Sequence, residues 1–467
     1  MVRVSSDVRI PEELHDKSNL IAGRWVNAAS GAKFAVRSPV TGAVLAEVPR
    51  CGAEDVDAAV AAAKAAWPAW RGMPVFKRAE VILRMADLIR ERAEGIAEVL
   101  CVEQGKPYAG EGLPEVLETA LNFQLAAEDV VRMETPVIPM RDPAKRVLTF
   151  REPYGVMAVI TPWNFPTVIP SEYLGPGLAA GNTVIMKPAS TTPLSMILVG
   201  RCIQEALDEA GLPPGVFNLI TGPGAAVGDY LVAHPDVALI GFTGETVTGE
   251  AICSRAGIKM TLMELGGNGP VIVCADANLV EAAKAAAFGC FYNAGQVCCA
   301  TERILVDKKV HGEFLALLLE EAKAYSPGDP LDEATSMGPL NNEPTAVKTE
   351  QHLADARAKG AKILLGGARE SGELRPRRAG GRGPDPAPGR PHHAGPGPVR
   401  RPGMDRAAAC RSPDGVRLGV RAGDPVHPVG RSGAGGGADV RVAADRARVG
   451  GRGAARGPAG RGADPAA

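Results

Sequence analysis

Short apolar runs alternate with helix-like runs between Gly155 and Leu265. The apolar runs read VMAVI, NTVIMK, GVFNLIT, ALIGFT and KMTLMEL, and the segments between them have the residue spacing of helices. Strands that alternate with helices predict a parallel sheet with helices on both faces. We therefore expect an α/β fold with a Rossmann-like dinucleotide-binding domain over residues 20–263.

A second, smaller α/β unit is predicted for residues 264–370. It contains the strand-like runs VIVCADA and RILVD, and helices are expected over Leu279–Phe291 and His311–Ala324.

The region before the alternating pattern predicts helices and a hairpin. Ala53–Trp67 has helical spacing, and Pro68 predicts the end of that helix. Phe76–Gln104 continues as an amphipathic helix that Gly105 should stop. Residues 137–154 have an extended pattern and predict a projecting hairpin.

Composition excludes several classes of protein. The chain has 467 residues and a formal net charge of −1, so no nucleic acid or anionic membrane is expected as a partner. We find neither a signal peptide nor an apolar run of about 20 residues that would cross a membrane. Nine cysteines and seven histidines lack the spacing of a disulfide or metal framework, so we expect no metal and a reducing cytoplasm.

One stretch carries a candidate nucleophile. The segment Phe288–Arg303 reads FGCFYNAGQVCCATER, with Cys298 and Cys299 just after a Gly-Gln turn. A thiol beside backbone N–H groups at the end of a helix can act as a nucleophile. A cysteine taken alone is more often a small buried hydrophobe, so the neighbouring motifs must decide.

Those motifs form an ordered series. PWNFP, KPA, FTG, ELGG and GQxC follow one another along the chain. In these motifs and their spacing the chain resembles the NAD(P)-dependent aldehyde dehydrogenase superfamily, from about Leu20 to about Gly367. The resemblance implies oxidation of an aldehyde to a carboxylic acid, with NAD or NADP as the cofactor. It also implies a cysteine thioester that a glutamate-activated water hydrolyses.

The resemblance assigns three catalytic residues. Cys298 takes the place of the nucleophile, and the amide of Asn164 with the backbone N–H of Cys298 would hold the oxyanion. Glu264 takes the place of the base, and an apolar strand end should raise its pKa. The alternatives without function are a turn residue for Asn164 and a solvent-facing strand end for Glu264.

The resemblance also assigns the cofactor site. Lys187 would bind the adenosine ribose, and Ser190 replaces a glutamate that favours NAD, so NADP should be tolerated. Glu245 stands where many members have serine, and it would repel a phosphate unless it points away. The full predicted set is Ile160, Thr161, Pro162, Trp163, Lys187, Ser190, Gly222, Gly224, Gly228, Phe242, Thr243, Gly244, Glu245, Leu265 and Gly266.

The substrate and the assembly are less specified. Members that act on succinic semialdehyde often carry an arginine that holds the distal carboxylate, and this chain has Tyr292 at that position. The resemblance therefore favours an uncharged aliphatic or aromatic aldehyde or a small hydroxyaldehyde as the substrate. In the family, a hairpin near residues 137–154 helps to assemble dimers, and the resemblance implies a homodimer or a homotetramer.

The composition changes near Gly372. Residues 371–467 contain no Lys, Ile, Phe, Tyr, Trp or Asn, and Gly plus Pro make up roughly a third of them, a composition that predicts disorder. The arginines of this tail favour a solvated coil, with RNA binding as the alternative.

We hypothesise a frameshift, because the enriched residues have GC-rich codons. The E-x-F-G-P segment by which the family contacts the nicotinamide ribose is missing, so the resemblance implies that the α/β catalytic domain of residues 264–370 is incomplete. Translation of the other two frames would restore it if the hypothesis holds. A weakly active product is then expected, and the alternatives are an inactive remnant that at most binds nucleotide or a thiol esterase that needs no dinucleotide.

Overall fold

The structure is a computed structural model that describes residues 8–369. Its N-terminal part has four short strands followed by helices. The strands are β1 (Asn19–Ile21), β2 (Arg24–Val26), β3 (Lys33–Arg37) and β4 (Val44–Pro49), and the helices are α1 (Ala53–Gly72), α2 (Val75–Glu91), α3 (Ala93–Gln104) and α4 (Leu113–Val130). The tail predicted to be disordered over 371–467, and the frameshift hypothesis that concerns it, lie outside the described residues.

The helix predictions in this region are partly wrong. Pro68 lies inside α1, because the next turn carries Trp70, which is fully buried and donates from Nε1 to the carbonyl of Leu178 at 3.1 Å. The single helix expected up to Gln104 is broken at Arg92. Its predicted end is confirmed, since Gly105 adopts a left-handed φ of 107° that stops α3.

A short antiparallel pair follows α4. Strand β5 (Val137–Ile138) pairs with β6 (Val147–Leu148), inside the range predicted for the hairpin. The side chains of Val137, Leu148 and Phe150 are exposed to 60%, 60% and 79%.

The central sheet has seven strands. Five are β7 (Val156–Ile160), β8 (Thr183–Lys187), β9 (Phe217–Leu219), β10 (Val237–Thr243) and β11 (Met260–Glu264), and the order is β11-β10-β7-β8-β9-β1-β2. These five strands run parallel, whereas β1 is antiparallel to both of its neighbours. The predicted α/β fold with a parallel sheet is confirmed.

Helices cover both faces of this sheet. They are α5 (Val168–Ala179), α6 (Leu194–Glu209), α7 (Asp229–Ala233) and α8 (Thr246–Ala256), together with the N-terminal helices. Successive residues of β7 point to opposite faces. Met157 and Val159 therefore join one apolar cluster, and Val156, Ala158 and Ile160 join another.

A second, two-stranded parallel sheet follows. Strands β12 (Gly269–Val273) and β13 (Thr301–Val306) pack with α9 (Leu279–Phe291) and α10 (His311–Lys323), and α11 (Glu343–Ala358) comes later in the chain. The predicted domain boundary between residues 263 and 264 falls one residue before the end of β11. Between residues 8 and 369, no helix is both long enough and apolar enough to cross a membrane.

Candidate active site

The cofactor residues predicted from the sequence lie where parallel strands end. Ile160, Lys187, Thr243 and Glu264 are the last residues of β7, β8, β10 and β11. The register pairs Ile160 with Lys187 and Thr243 with Glu264. The carboxyl ends of these parallel strands therefore lie side by side. The strand order reverses between β7 and β10, which is where open α/β sheets bind dinucleotides.

Lys187 is a buried cation at the carboxyl ends of these strands. Only 3% of the residue is exposed, and its Nζ donates to the carbonyl of Pro188 at 3.0 Å. Burial lowers the pKa of the ammonium to about 8. An ammonium has three donors, so donors remain for the hydroxyls or phosphate of a nucleotide.

The loops after β8 and β9 are tied together. The hydroxyl of Ser190 donates to the carbonyl of Gly222 at 2.9 Å. Gly222 has a φ of 150°, and a Cβ there would lie 2.7 Å from a methyl of Val227. A Cβ on Gly228 would lie in ordinary contact with Ile160 and Lys187 at 3.8 Å, whereas a Cβ on Gly224 would point into open space. Of the three predicted glycines, the fold therefore requires Gly222 most clearly.

The turn Phe242-Thr243-Gly244 also belongs to the predicted cofactor site, and it leads from β10 into α8. Glu245 precedes the helix and is the residue whose charge would oppose a phosphate. The structure pairs it with Lys348 of α11 at 3.3 Å. The predicted conflict at Glu245 is therefore offset by a cation. Beside this turn, Leu265 packs closely against Gly249.

A strained turn precedes the candidate nucleophile. Asn293 and Ala294 have φ values of 50° and 54°, and Gly295 follows at 73°. Such left-handed residues other than glycine cost on the order of 1–3 kcal/mol each. The turn ends at Gln296, and both Cys298 and Cys299 are exposed after it.

Hydrogen bonds hold this turn in place. The N–H of Asn293 donates to both carboxylate oxygens of Glu111 at 3.1 Å. Its Oδ1 accepts from Gln104 at 2.9 Å, and its Nδ2 donates to the main-chain carbonyl of Asn164 at 2.9 Å. Every polar group of Asn293 that faces the interior therefore has a partner, which offsets the backbone strain.

Asn164 completes the exchange between the two loops. Its Nδ2 donates to the main-chain carbonyl of Gln296 at 2.9 Å, two residues before Cys298. A side-chain amide has two N–H donors, so the second stays available beside the cysteine loop. Its Oδ1 is buried and accepts no hydrogen bond.

Cys298 also lies against the Glu264 loop. A Cβ on Gly267 would come within 2.0 Å of the carbonyl oxygen of Cys298, so only glycine allows this approach. Partial burial and the adjacent Cys299 raise the pKa of the Cys298 thiol, and the Glu264 carboxylate adds to the shift. Glu264 itself is exposed, so the apolar surroundings expected for it are wrong. It ends the edge strand β11, whose alternate residues face outward.

Sequence reasoning missed the residues that support these loops. They are Gln104, Lys106, Glu111, Glu115 and Asn293. One signal was available, namely charged residues on both sides of the helix stop at Gly105 in an otherwise apolar region. Between residues 8 and 369, no group of three or more His, Cys, Asp or Glu side chains could hold a metal ion.

Comparison with known proteins identifies the family of the chain. Residues 25–377 match the model of the aldehyde dehydrogenase family. The chain belongs to the aldehyde dehydrogenase family. The resemblance stated from five motifs is confirmed, and with it the class of enzyme. An aldehyde dehydrogenase is an oxidoreductase that oxidises aldehydes with NAD or NADP through a cysteine thioester.

Individual members are similar over most of the chain. The succinate-semialdehyde dehydrogenase [NADP(+)] GabD of Escherichia coli is 39% identical over 350 residues, which are 74% of this chain and 72% of that enzyme. A 3-sulfolactaldehyde dehydrogenase of Pseudomonas putida is 38% identical over 77% of this chain and 74% of its own. Among aldehyde dehydrogenases of known structure, the indole-3-acetaldehyde dehydrogenase of P. syringae with NAD+ is 33% identical. It has a TM-score of 0.74 and covers 79% of this chain and 74% of that one.

Proposed function

We propose that Cys298, Asn164 and Glu264 together catalyse the oxidation of an aldehyde to a carboxylic acid by NAD(P)+. The hydrogen bond from Asn164 Nδ2 to the carbonyl of Gln296 carries this proposal. It fixes an amide donor beside the loop that bears Cys298. The close approach of Gly267 to Cys298 brings the loop of Glu264 to the same place.

The reaction follows from these positions. The Cys298 thiol gives its proton to water, because the residue is exposed. The thiolate forms a C–S bond to the aldehyde carbon, and the second N–H of Asn164 stabilises the oxyanion. NAD(P)+ supplies the hydride acceptor when it is bound, and the loss of hydride from the aldehyde carbon leaves a thioester on Cys298. Glu264 then takes a proton from water, whose oxygen replaces the sulfur and releases the acid.

Lys187, Gly222 and the α8 N-terminus are the groups that would hold the cofactor. Lys187 offers its remaining donors to the adenosine ribose. Gly222 fits closely against Val227 and accepts the hydrogen bond that holds the Ser190 loop beside Lys187. Among residues 8–369 no carboxylate acts on the Lys187 ammonium, and Ser190 is uncharged. We infer that a 2′-phosphate is accommodated, so the enzyme uses NADP+ as well as NAD+.

The substrate we propose is an uncharged aldehyde. Tyr292 stacks on Phe165 with ring centroids 6.0 Å apart and lies 5.1 Å from Phe288. Burial raises the pKa of Tyr292 to about 12, and Glu111, Glu115 and Glu118 add to the shift. Partial burial also raises the pKa of Glu172, as do Glu118 and Glu264. An aromatic wall beside several carboxylates disfavours the second carboxylate of a dicarboxylic semialdehyde.

The test compares two cysteine variants on two aldehydes. Wild type, C298S and C299S are assayed with NADP+ and either hexanal or succinic semialdehyde. We expect C298S to lose at least about 10³-fold in kcat. C299S, the matched control, should stay within about threefold of wild type.

The outcome separates the alternatives. A higher kcat/KM for hexanal supports the uncharged substrate, and a higher value for succinic semialdehyde contradicts it. Full activity in C298S would remove the proposed nucleophile. Hydrolysis of an activated ester without any aldehyde-dependent reduction of NADP+ would favour the thiol esterase instead.

We further propose a reducing compartment, the cytoplasm, and self-association. All eight cysteines between residues 8 and 369 are free, and a nucleophilic thiol requires reduction.

The exposed apolar side chains of the β5–β6 hairpin are available for pairing with a second copy. Sedimentation of wild type against Phe150→Asp tests the association, and equal masses as monomers would contradict it.

A further inference from the structure

Lys106 is a buried cation next to the candidate oxyanion site. It follows the helix stop at Gly105, and its side chain is 0% exposed. Its Nζ lies 2.6 Å from Oε2 of Glu115, whose side chain is 1% exposed. A buried ion pair of this kind contributes little net stability, because removing both charges from water is costly. Its position therefore calls for a reason other than stability.

The ammonium has three N–H donors, and three acceptors surround it. The first is the Glu115 carboxylate, and the second is the main-chain carbonyl of Asn164 at 2.9 Å. The third is the face of the Phe165 ring, whose centroid lies 3.8 Å away. Lys106 thus contacts both Asn164 and the next residue, and no donor remains for a substrate.

Glu115 holds the other end of the same turn. Its Oε1 accepts from the N–H of Thr167 at 3.0 Å, from the hydroxyl of Thr167 at 3.1 Å and from the N–H of Val168 at 3.3 Å. The ion pair therefore fixes the chain on both sides of Phe165 and Pro166. The backbone of a turn held at residues 164 and 167 has little freedom to move, and the Asn164 side chain extends from that backbone.

We propose that Lys106 is a positioning residue for the oxyanion site. It holds the carbonyl of Asn164 so that the side-chain amide points at the Cys298 loop. Asn293 donates to the same carbonyl from the other side, so the two donors together set its direction. This inference rests on the proposed role of Asn164. A displacement of about 1 Å at such a group can cost about 10²-fold in rate.

The experiment removes the hydrogen bond without leaving a buried charge. Lys106→Met with Glu115→Gln keeps an amide oxygen for Thr167 and Val168 and makes the pair neutral. This neutral-pair variant is made with Asn164 intact and in the N164A background. Four measurements are taken: the single-turnover rate of NADPH formation, KM for the aldehyde, the affinity for NADP+ and Tm.

Comparing the neutral pair with Asn164 intact and in N164A distinguishes a positioning role of Lys106 from an effect on stability alone. With Asn164 present, we expect the neutral pair to slow the single turnover by about 10- to 100-fold. The affinity for NADP+ should be unchanged. In N164A there is no amide left to orient, so the additional loss should be less than about twofold, while any change in Tm is the same in both backgrounds.

Each contrary result has a distinct meaning. If N164A is slow and the neutral pair keeps the wild-type rate, the inference is overturned. The same holds if the neutral pair slows both backgrounds by equal factors. If N164A itself keeps the wild-type rate, the proposed function of Asn164 fails instead. Should the Met variant not bind NADP+, Lys106→Gln with Glu115→Gln replaces it, with the same dependence on background expected.

Discussion

The side-chain amide of Asn164 donates a 2.9 Å hydrogen bond to the main-chain carbonyl of Gln296, although 132 residues separate them. Asn293 returns a bond of 2.9 Å to the carbonyl of Asn164. The turn after β7 and the cysteine loop therefore bind one another in both directions. These hydrogen bonds hold the Asn164 amide against the loop that carries Cys298, and fixed donors of this kind are what the proposed oxyanion site requires.

The first prediction concerns pH and the cofactor. Burial lowers the pKa of Lys187 to about 8, so its charge is lost as pH rises through that value. We expect the Kd for NADP+ to be about tenfold higher at pH 9 than at pH 7. NAD+, which lacks the 2′-phosphate, should change less. Equilibrium fluorescence titration measures both, K187M should give a flat profile, and an equally flat wild-type profile would contradict the role of Lys187.

The second prediction concerns pH and stability. Burial raises the pKa of Glu111 from 4.5 to about 7. Between these values the folded protein binds the proton more tightly than the unfolded chain does. The contribution of Glu111 to the free energy of unfolding is therefore fully present below about pH 4.5 and is lost as pH rises through about 7.

Urea unfolding of wild type and E111Q measures this effect. We expect the free energy of unfolding of wild type to fall relative to E111Q between pH 5 and pH 8. Parallel pH profiles for the two proteins would show that Glu111 does not titrate in this range. E111Q serves as the control for wild type, because the two proteins have every other carboxyl group in common.

The sequence predicted the sheet and the motif residues for a local reason. Each cofactor motif directly follows an apolar strand, so strand ends such as Ile160 and Lys187 could be placed without knowing how the helices pack. The support of Asn293 by Gln104 and Glu111 could not be found in this way. Those bonds span 189 and 182 residues, and they depend on how the end of α3 and the turn between α3 and α4 pack beside the cysteine loop.

Two errors have the same origin. Pro68 is a local signal for a helix end, but the burial of Trp70 against α5 extends α1 past it. An apolar strand suggested a buried Glu264, but β11 lies at the edge of the sheet and its end is exposed. Strand position in a sheet is a tertiary property that periodicity does not contain.

The third prediction concerns the pair Glu245 and Lys348. Loss of Lys348 leaves a carboxylate beside the α8 N-terminus, where a phosphate is expected to bind. We expect K348M to raise the KM for NADP+ by about two- to fivefold and no more, because the Glu245 carboxylate is largely exposed to solvent. The double variant E245S/K348M should restore the wild-type KM. An unchanged KM in K348M would show that Glu245 does not face the cofactor.

The most direct test of the central claim uses E264Q. If Cys298 forms the thioester and Glu264 activates the water, E264Q should produce about one reduced cofactor per chain and then stop. Mass spectrometry of the tryptic peptide 285–303 should locate an acyl group on Cys298, with Cys290 and Cys299 unmodified. Full turnover by E264Q, or an acyl group on Cys299, would contradict the account.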